Sequence, residues 1–220
     1  MQQLIKKELI LQKKMLWFGL GYSIFLFIAF ANPLFQSFTY SMCAFGIAYT
    51  LILGIAQAEY KNNTDIIINS LPVNRQEIVA AKYIAIIIGT IFALVIVGVV
   101  GLLFHQLPAP FNLRLINLLD VVATIISVTI LAAVSMPVYF KTSAPWIRIV
   151  NMLFFMLLFF APAQIAGYLI DNGHQDWLQR VSQTANDQIW LLLLGVAVLM
   201  AGMLLVSYYI SLNIYRKKDF

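Results

Sequence analysis

The sequence is poor in charge and cysteine. Charged residues make up 10% of its 220 positions, whereas hydrophobic residues make up 62%. Soluble chains carry roughly a quarter charged residues, so this composition excludes an ordinary domain folded in water. The single cysteine, Cys43, excludes a disulfide framework and any multi-cysteine metal site. With a mean hydropathy of +0.88, the chain needs a second, apolar solvent, which is the bilayer.

Motifs that would indicate catalysis are also missing. The sequence contains no H-E-x-x-H pair, no G-x-S-x-G elbow and no G-x-x-x-x-G-K-[ST] phosphate loop. It therefore has no known motif of an intramembrane metalloprotease or a serine hydrolase, and the chain is not expected to hydrolyse nucleotide itself. His174 lies near Asp171 and Asp176 but lacks a fourth ligand for a metal. We predict no bound metal or cofactor and no enzyme activity of its own.

Six stretches without any charged residue or histidine are long enough to cross a membrane. A spanning helix needs about 20 mostly apolar residues, and backbone surrounded by lipid must be helical. The predicted fold class is therefore an all-α integral membrane protein, a single transmembrane domain over residues 1–220. The predicted spans cover residues 15–31, 39–58, 83–104, 121–140, 149–170 and 190–210.

Lysine and arginine are distributed unequally between the two sides. Of the 14 such residues, all but Arg114 and Arg180 fall on the side of the N-terminal segment and the C-terminal tail. The positive-inside rule predicts that both termini are cytoplasmic. The net charge of +5 is then an orientation signal, and no nucleic-acid partner is needed. Cleavage after Ala29–Ala31, as in a signal peptide, is the alternative for the first span; Glu8 and the long segment before it favour retention.

Two segments outside the spans are predicted to form short helices on the membrane surface. Over Gln2–Lys14, apolar and lysine side chains fall on opposite halves of a helical wheel, although Glu8 intrudes on the apolar half. This pattern predicts an interfacial amphipathic helix; the alternative is a basic segment that only sets the topology. On the outer side, Asp176–Ala185 has one apolar helical face and predicts a similar short helix.

The loop of residues 59–82 is the most informative segment between the spans. Thr64 and Asp65 predict the start of a short helix, because they can satisfy its free N–H groups. Three consecutive isoleucines in this helix would face water, and exposed apolar patches typically mark partners. Asn74 and Glu77 then resemble a capping box that starts a second helix leading into the third span. We interpret this loop as a docking site for a cytoplasmic partner, the alternative being a bland linker.

The loop between the fourth and fifth spans is short. Its Trp146 lies between Lys141 and Arg148 in the sequence. Such a tryptophan is typical of an anchor at the membrane interface. These three residues also provide a possible second cytoplasmic contact.

Two segments resemble the permease subunits of bacterial ATP-binding-cassette (ABC) exporters of type 2: LIKKELILQKK before the first span, and INSLPVNRQEIVAAKY entering the third. The chain is most similar in layout to the small six-span permeases of peptide-toxin and antimicrobial-peptide exporters, such as the phenol-soluble modulin exporter. The specific part of this resemblance is Ile68–Tyr83. It implies a half-transporter in the bacterial cell membrane that pairs with a second permease chain, identical or different.

The resemblance also implies a cytoplasmic ABC ATPase in two copies, which would bind the ATP and Mg²⁺. The loop between the second and third spans would couple to that ATPase, and the cargo would be an amphipathic peptide or another hydrophobic compound. A membrane anchor or sensor that transports nothing, and an intramembrane enzyme of unrecognised type, are the alternatives. The residues assigned to coupling are Thr64, Asp65, Ile66, Ile67, Ile68, Asn69, Ser70, Leu71, Pro72, Arg75 and Glu77.

Overall fold

Six α-helices make up the part of the chain that the computed structural model describes, namely residues 2–30, 39–61, 74–108, 114–142, 144–171 and 189–217. No strand occurs within these ranges, so the all-α prediction is confirmed for them. The helices are α1 (Gln2–Ala29), α2 (Thr39–Lys61), α3 (Arg75–His105), α4 (Leu118–Lys141), α5 (Ala144–Asp171) and α6 (Ile189–Arg216).

Within the described residues, three stretches of helix are long and apolar enough to cross a membrane. They are Arg75–His105, Leu118–Lys141 and Leu193–Arg216. Shorter apolar stretches occur at Trp17–Ala29, Thr39–Gly54 and Trp146–Leu158. Helices of this length and composition are those of an integral membrane protein. The count of six spans and the cytoplasmic position of the termini stay predictions.

One end of the bundle carries both the start of α1 and the end of α6. Here Glu8 of α1 contacts Lys82 near the start of α3. The rings of Phe140, at the end of α4, and Tyr215, at the end of α6, pack edge to face with centroids 5.2 Å apart. We call this the terminal end.

The opposite end is held by aromatic rings from three helices. Phe27 at the end of α1 packs against Tyr40 at the start of α2 and against Phe104 at the end of α3. The Tyr40 hydroxyl donates to the carbonyl of Arg114, just before α4. It follows that α1 and α3 run in one direction and α2 in the other.

The core is centred on α2, which contacts α1, α3, α4 and α5. Two glycines allow close contacts in this core: one lets α2 approach α1, and the other lets α3 approach α2. A Cβ atom at Gly46 would overlap the Tyr22 ring, and one at Gly101 would overlap the Tyr40 ring. These positions let large aromatic side chains lie directly on a neighbouring backbone, as small residues do in membrane helix packing.

The N-terminal helix differs from its prediction. Gln2–Lys14 was expected to be a separate interfacial helix, but α1 continues unbroken from Gln2 to Ala29. The physical reason is Glu8, whose buried carboxylate faces α3 and so attaches this segment to the bundle. The acidic residue that weakened the amphipathic pattern is thus an interior contact.

The other helices extend beyond the predicted spans. Helix α3 begins at Arg75 and α6 continues to Arg216. The predicted spans covered only the uncharged stretches, whereas these helices also include the charged residues next to them. The predicted loop 59–82 is correspondingly shorter: residues 59–61 belong to α2 and residues 75–82 to α3. The predicted short helix Thr64–Leu71 and the outer helix Asp176–Ala185 lie outside the described residues.

The N-cap of α3 was predicted at the correct residue, Asn74, but the predicted capping hydrogen bond of its side chain does not form. The backbone of Asn74 is extended, at φ −67° and ψ 133°. A full capping box occurs instead at the start of α4. There the backbone N–H of Asn117 donates to the Asp120 carboxylate over 2.9 Å, and Arg114 contacts the same carboxylate.

Candidate functional site

A buried ion pair lies at the terminal end of the bundle. The Lys82 ammonium is 3.6 Å from Oε1 of Glu8, and their side chains are only 2% and 4% exposed. Lys7 donates to the same oxygen over 3.0 Å. Nζ of Lys82 also lies 4.9 Å from the centre of the Tyr139 ring, a favourable position for a cation. Residues of α1, α3 and α4 therefore meet at one charge cluster.

The position of Lys82 follows from helical periodicity. It shares a face of α3 with Ile78, Val79 and Ile86, all of which are buried, because residues three and four apart lie on the same side of a helix. Its side chain therefore points into the bundle. A buried charge is costly without a partner, and Glu8 supplies that partner from α1.

A chain of hydroxyl groups joins α3, α6 and α4 close to this ion pair. The Tyr83 hydroxyl is 2.7 Å from Oγ of Ser207 and 2.9 Å from Oγ of Ser211. Ser207 donates to the carbonyl of Ala133 over 2.8 Å. Because a hydroxyl has one hydrogen to donate, Ser207 accepts from Tyr83, and Tyr83 in turn accepts from Ser211.

Pro137 explains why this chain ends on Ala133. Proline has no N–H, so Pro137 inside α4 cannot donate to the carbonyl four residues earlier, which is that of Ala133. Ser207 of α6 supplies the missing donor. Serine hydroxyls commonly satisfy carbonyls that proline frees in membrane helices. The proline thus creates the acceptor that attaches α6 to α4.

A second polar contact connects α4 and α5. Ser135 donates to Oδ1 of the buried Asn151. Nδ2 of Asn151 is buried too and has no hydrogen-bond partner among the described residues. The contact lies near the start of α5, since Asn151 follows Ala144 by two helical turns.

Arg75 is the predicted coupling residue with the most definite position. It is the first residue of α3, and its guanidinium donates to the carbonyls of Tyr215, over 3.2 Å, and Arg216, over 2.7 Å. Basic groups satisfy the last carbonyls of a helix and favour its negative end. Arg75 therefore ties the start of α3 to the end of α6.

The other predicted site residues lie on the periphery of this end. Glu77 is half-buried in the first turn of α3. Lys141 ends α4 and Arg148 lies in the first turns of α5, both exposed, while Trp146 is 60% exposed. The remaining coupling residues lie outside the described residues: Thr64, Asp65, Ile66, Ile67, Ile68, Asn69, Ser70, Leu71 and Pro72.

Sequence reasoning missed most of the polar groups that the bundle brings together. The signal for the ion pair was Glu8 in an apolar helical face, with Lys82 directly before an apolar run. The contact between Ser135 and Asn151 was not predicted either. The hydrogen-bonded hydroxyl groups from Ser211 to the Ala133 carbonyl could not be predicted from any sequence pattern except the presence of Pro137. Among the described residues, no group of three or more His, Cys, Asp and Glu side chains is placed to hold a metal ion.

Comparison with known protein families identifies a family that covers nearly the whole chain. A family model described as "ABC-2 family transporter protein" matches residues 3–216. Neither the curated proteins nor the solved structures compared with the chain gave a significant match. The matched range includes all of α1 but its first residue, the whole of α2 to α6, and the residues of the ion pair and of the hydroxyl chain.

Proposed function

This chain belongs to the ABC-2 family of transporter proteins and is a transmembrane component of an ABC transporter; we propose that it is the permease of an ATP-driven exporter. In this proposal it pairs with a second permease chain, identical or different, in the bacterial cell membrane. Two copies of a separate ATPase bind the cytoplasmic side, and these ATPase chains bind the ATP and Mg²⁺ and hydrolyse the ATP. The cargo is an amphipathic peptide or another hydrophobic compound.

The observation that supports coupling is the convergence of three helices at the start of α3. The predicted docking loop leads directly into Arg75, which contacts the end of α6. Two turns later Lys82 contacts Glu8 of α1, and Tyr83 contacts Ser207 of α6. A movement of the loop would therefore displace α3 and, through these contacts, also α1 and α6.

The loop isoleucines provide the test of this proposal. Burying such a side chain against a partner contributes about 1.5–3 kcal/mol. Replacing Ile66, Ile67 or Ile68 by aspartate, one at a time, removes that contribution and places a charge in the interface. Affinity for the ATPase, measured by co-purification, should fall steeply for at least one variant, and export of cargo should fall with it.

The matched control is Ile67→Leu, which keeps the size and apolarity of the side chain and should bind and export like the parent. Every variant should still insert into the membrane, because these positions lie outside the predicted spans. If all three aspartate variants bind and export normally, the loop is a linker and the coupling proposal is wrong. Normal binding of the ATPase by the parent without any export would favour an anchor or sensor.

The source of energy gives a separate test. Purified alone, the chain should hydrolyse no ATP, because it has no phosphate-binding loop. With the ATPase it should form a complex of two permease and two ATPase chains, which mass measurement of the intact complex would detect. Hydrolysis by the isolated chain that survives removal of contaminating ATPases would contradict the proposal.

A further inference from the structure

A cavity of about 300 Å³ lies between α3, α4 and α6. Its floor is formed by buried side chains that include Thr90 of α3 and Val128, Thr129 and Ala132 of α4. This volume is at the lower end of the range for small-molecule sites. The cavity lies beyond Tyr83 from the ion pair and the predicted docking loop, and neither of these features uses it.

The rim of the cavity is exposed on the apolar surface of the bundle. Ile87 and Ile91 of α3 and Ile125 of α4 line it, and each is more than 40% exposed. Both helices are long and apolar enough to cross a membrane. The cavity therefore opens sideways, at the depth of the hydrocarbon.

The polar groups of the lining are largely engaged within the protein. The Tyr83 hydroxyl belongs to the chain that ends on Ala133. The Thr90 hydroxyl donates to the carbonyl of Ile86 over 2.8 Å. Thr129 carries the third hydroxyl of the lining, and the other lining residues are apolar. Ordered water needs two to four polar partners, so a cavity this apolar holds water poorly. An empty space of the same size would forfeit dispersion contacts along all of its walls.

We propose that the cavity is a binding site for a single alkyl chain of a membrane lipid. Hydrocarbon is the one material that matches the lining and is present at the opening. A neighbouring apolar groove between α3 and α6 shares Tyr83, Ile87 and Leu204 with the cavity, so a chain longer than the cavity continues along that groove. This inference does not depend on the exporter proposal.

Photo-labelling tests the site directly. The full chain is reconstituted in bilayers of phosphatidylglycerol that carries a diazirine in the middle of one acyl chain, irradiated, and mapped by mass spectrometry. Label is expected on the floor, at Val128, Thr129 and Ala132, as well as on the rim at Ile91. Label on the rim alone would overturn the proposal, because the cavity would then be closed to lipid.

Variants that fill the cavity with a larger side chain provide a second test. In Ala132→Phe the floor label should fall to the level of an unirradiated sample, while label at Ile91 is retained. Ala123→Phe is the matched control: it lies on the same helix with an exposed side chain and should leave the floor label unchanged. If Ala132→Phe folds poorly, Thr129→Leu narrows the cavity by a smaller change and should lower the floor label alone.

Two other results would contradict the proposal. An unchanged floor label in folded Ala132→Phe would show that the reagent reaches those residues by another route. The second such result would come from the fraction of the protein that contains two permease chains. If the floor residues there are not labelled by the lipid, while they are labelled in single chains, the second copy and not lipid covers the cavity.

Discussion

At the scale of single residues, the contact between Glu8 and Lys82 shows how an ionic pair is accommodated inside an apolar bundle. Each side chain is almost completely buried, so neither charge is solvated by bulk water. Removing one partner of a buried pair typically costs about 3–5 kcal/mol, because the remaining charge loses its compensation. The pair therefore restricts substitution at both positions far more than a surface ion pair would.

We expect Glu8→Gln to lower the free energy of unfolding by about 3 kcal/mol, because it leaves the buried Lys82 ammonium without a carboxylate. Lys82→Met should cost less, because Lys7 still lies 3.0 Å from Glu8. The double variant should cost clearly less than the sum, because it buries no unbalanced charge. Thermal unfolding in detergent measures all three, with Lys6→Met, an exposed lysine of the same helix as Glu8, as the control. Strictly additive effects would show that the two groups do not interact.

At the scale of helices, Pro137 and Ser207 act together, because Ser207 donates to the carbonyl that the proline cannot satisfy. Ser207→Ala should lower the stability by about 1–2 kcal/mol, because it leaves the Ala133 carbonyl without its donor and removes one of the two hydroxyl contacts of Tyr83. In a Pro137→Ala background the restored N–H satisfies that carbonyl, so the cost of Ser207→Ala should shrink by about 1 kcal/mol. Unfolding measurements on the four variants give this difference.

The matched control for that cycle is Ser23→Ala. Ser23 is buried in α1 and donates to the carbonyl of Leu20 over 2.8 Å, but it does not contact α4 in any described hydrogen bond. Its effect should be the same with proline or alanine at position 137. Equal costs of Ser207→Ala in both backgrounds would contradict the assignment of Ser207 to the freed carbonyl.

The junction of α3 and α6 depends on Arg75. Arg75→Met should lower the stability by about 0.5–1 kcal/mol, since it removes a cation from the C-terminal end of α6. It should also speed amide hydrogen exchange in the last turn of that helix, which mass spectrometry can follow. Gln76→Met, at an exposed neighbouring position, should change neither. Unaltered exchange in Arg75→Met would show that the contact does not hold the two helices together.

The helices could be predicted from the sequence because lipid leaves few alternatives for long apolar runs. The apolar runs that became α2 to α6 were all identified, and the start of α3 at Arg75 was expected from Asn74. The side-chain partners were not predictable, since they join residues far apart in the chain. Glu8 meets Lys82 two helices later, and Ser207 reaches a carbonyl that Pro137 exposes. The capping box predicted at Asn74 and Glu77 does not form, because Asn74 makes no side-chain capping hydrogen bond. The box that does form, at Asn117 and Asp120, has the same spacing in the sequence and was not predicted.

At the scale of the whole molecule, the predicted orientation can be tested by labelling. In a Cys43→Ser background, single cysteines are placed at Asn69 and Gly173, in the predicted cytoplasmic and outer loops. A membrane-impermeant thiol reagent added to intact cells should label only the cysteine at position 173, because basic loops stay in the cytoplasm. Reagent added after the membrane is opened should label both, which serves as the control. Label at position 69 alone in intact cells would invert the topology.

The burial of Glu8 also bears on how the chain is made. α1 leaves the ribosome before Lys82 has been synthesised, and at ordinary rates of synthesis that interval lasts seconds. During it, Glu8 has Lys7 beside it but not the ammonium that later lies against it inside the bundle. A charge without its partner is costly to bury, so Glu8 is expected to stay in contact with water during this interval. We therefore expect the N-terminal part of α1 to pack into the bundle only once α3 is in place.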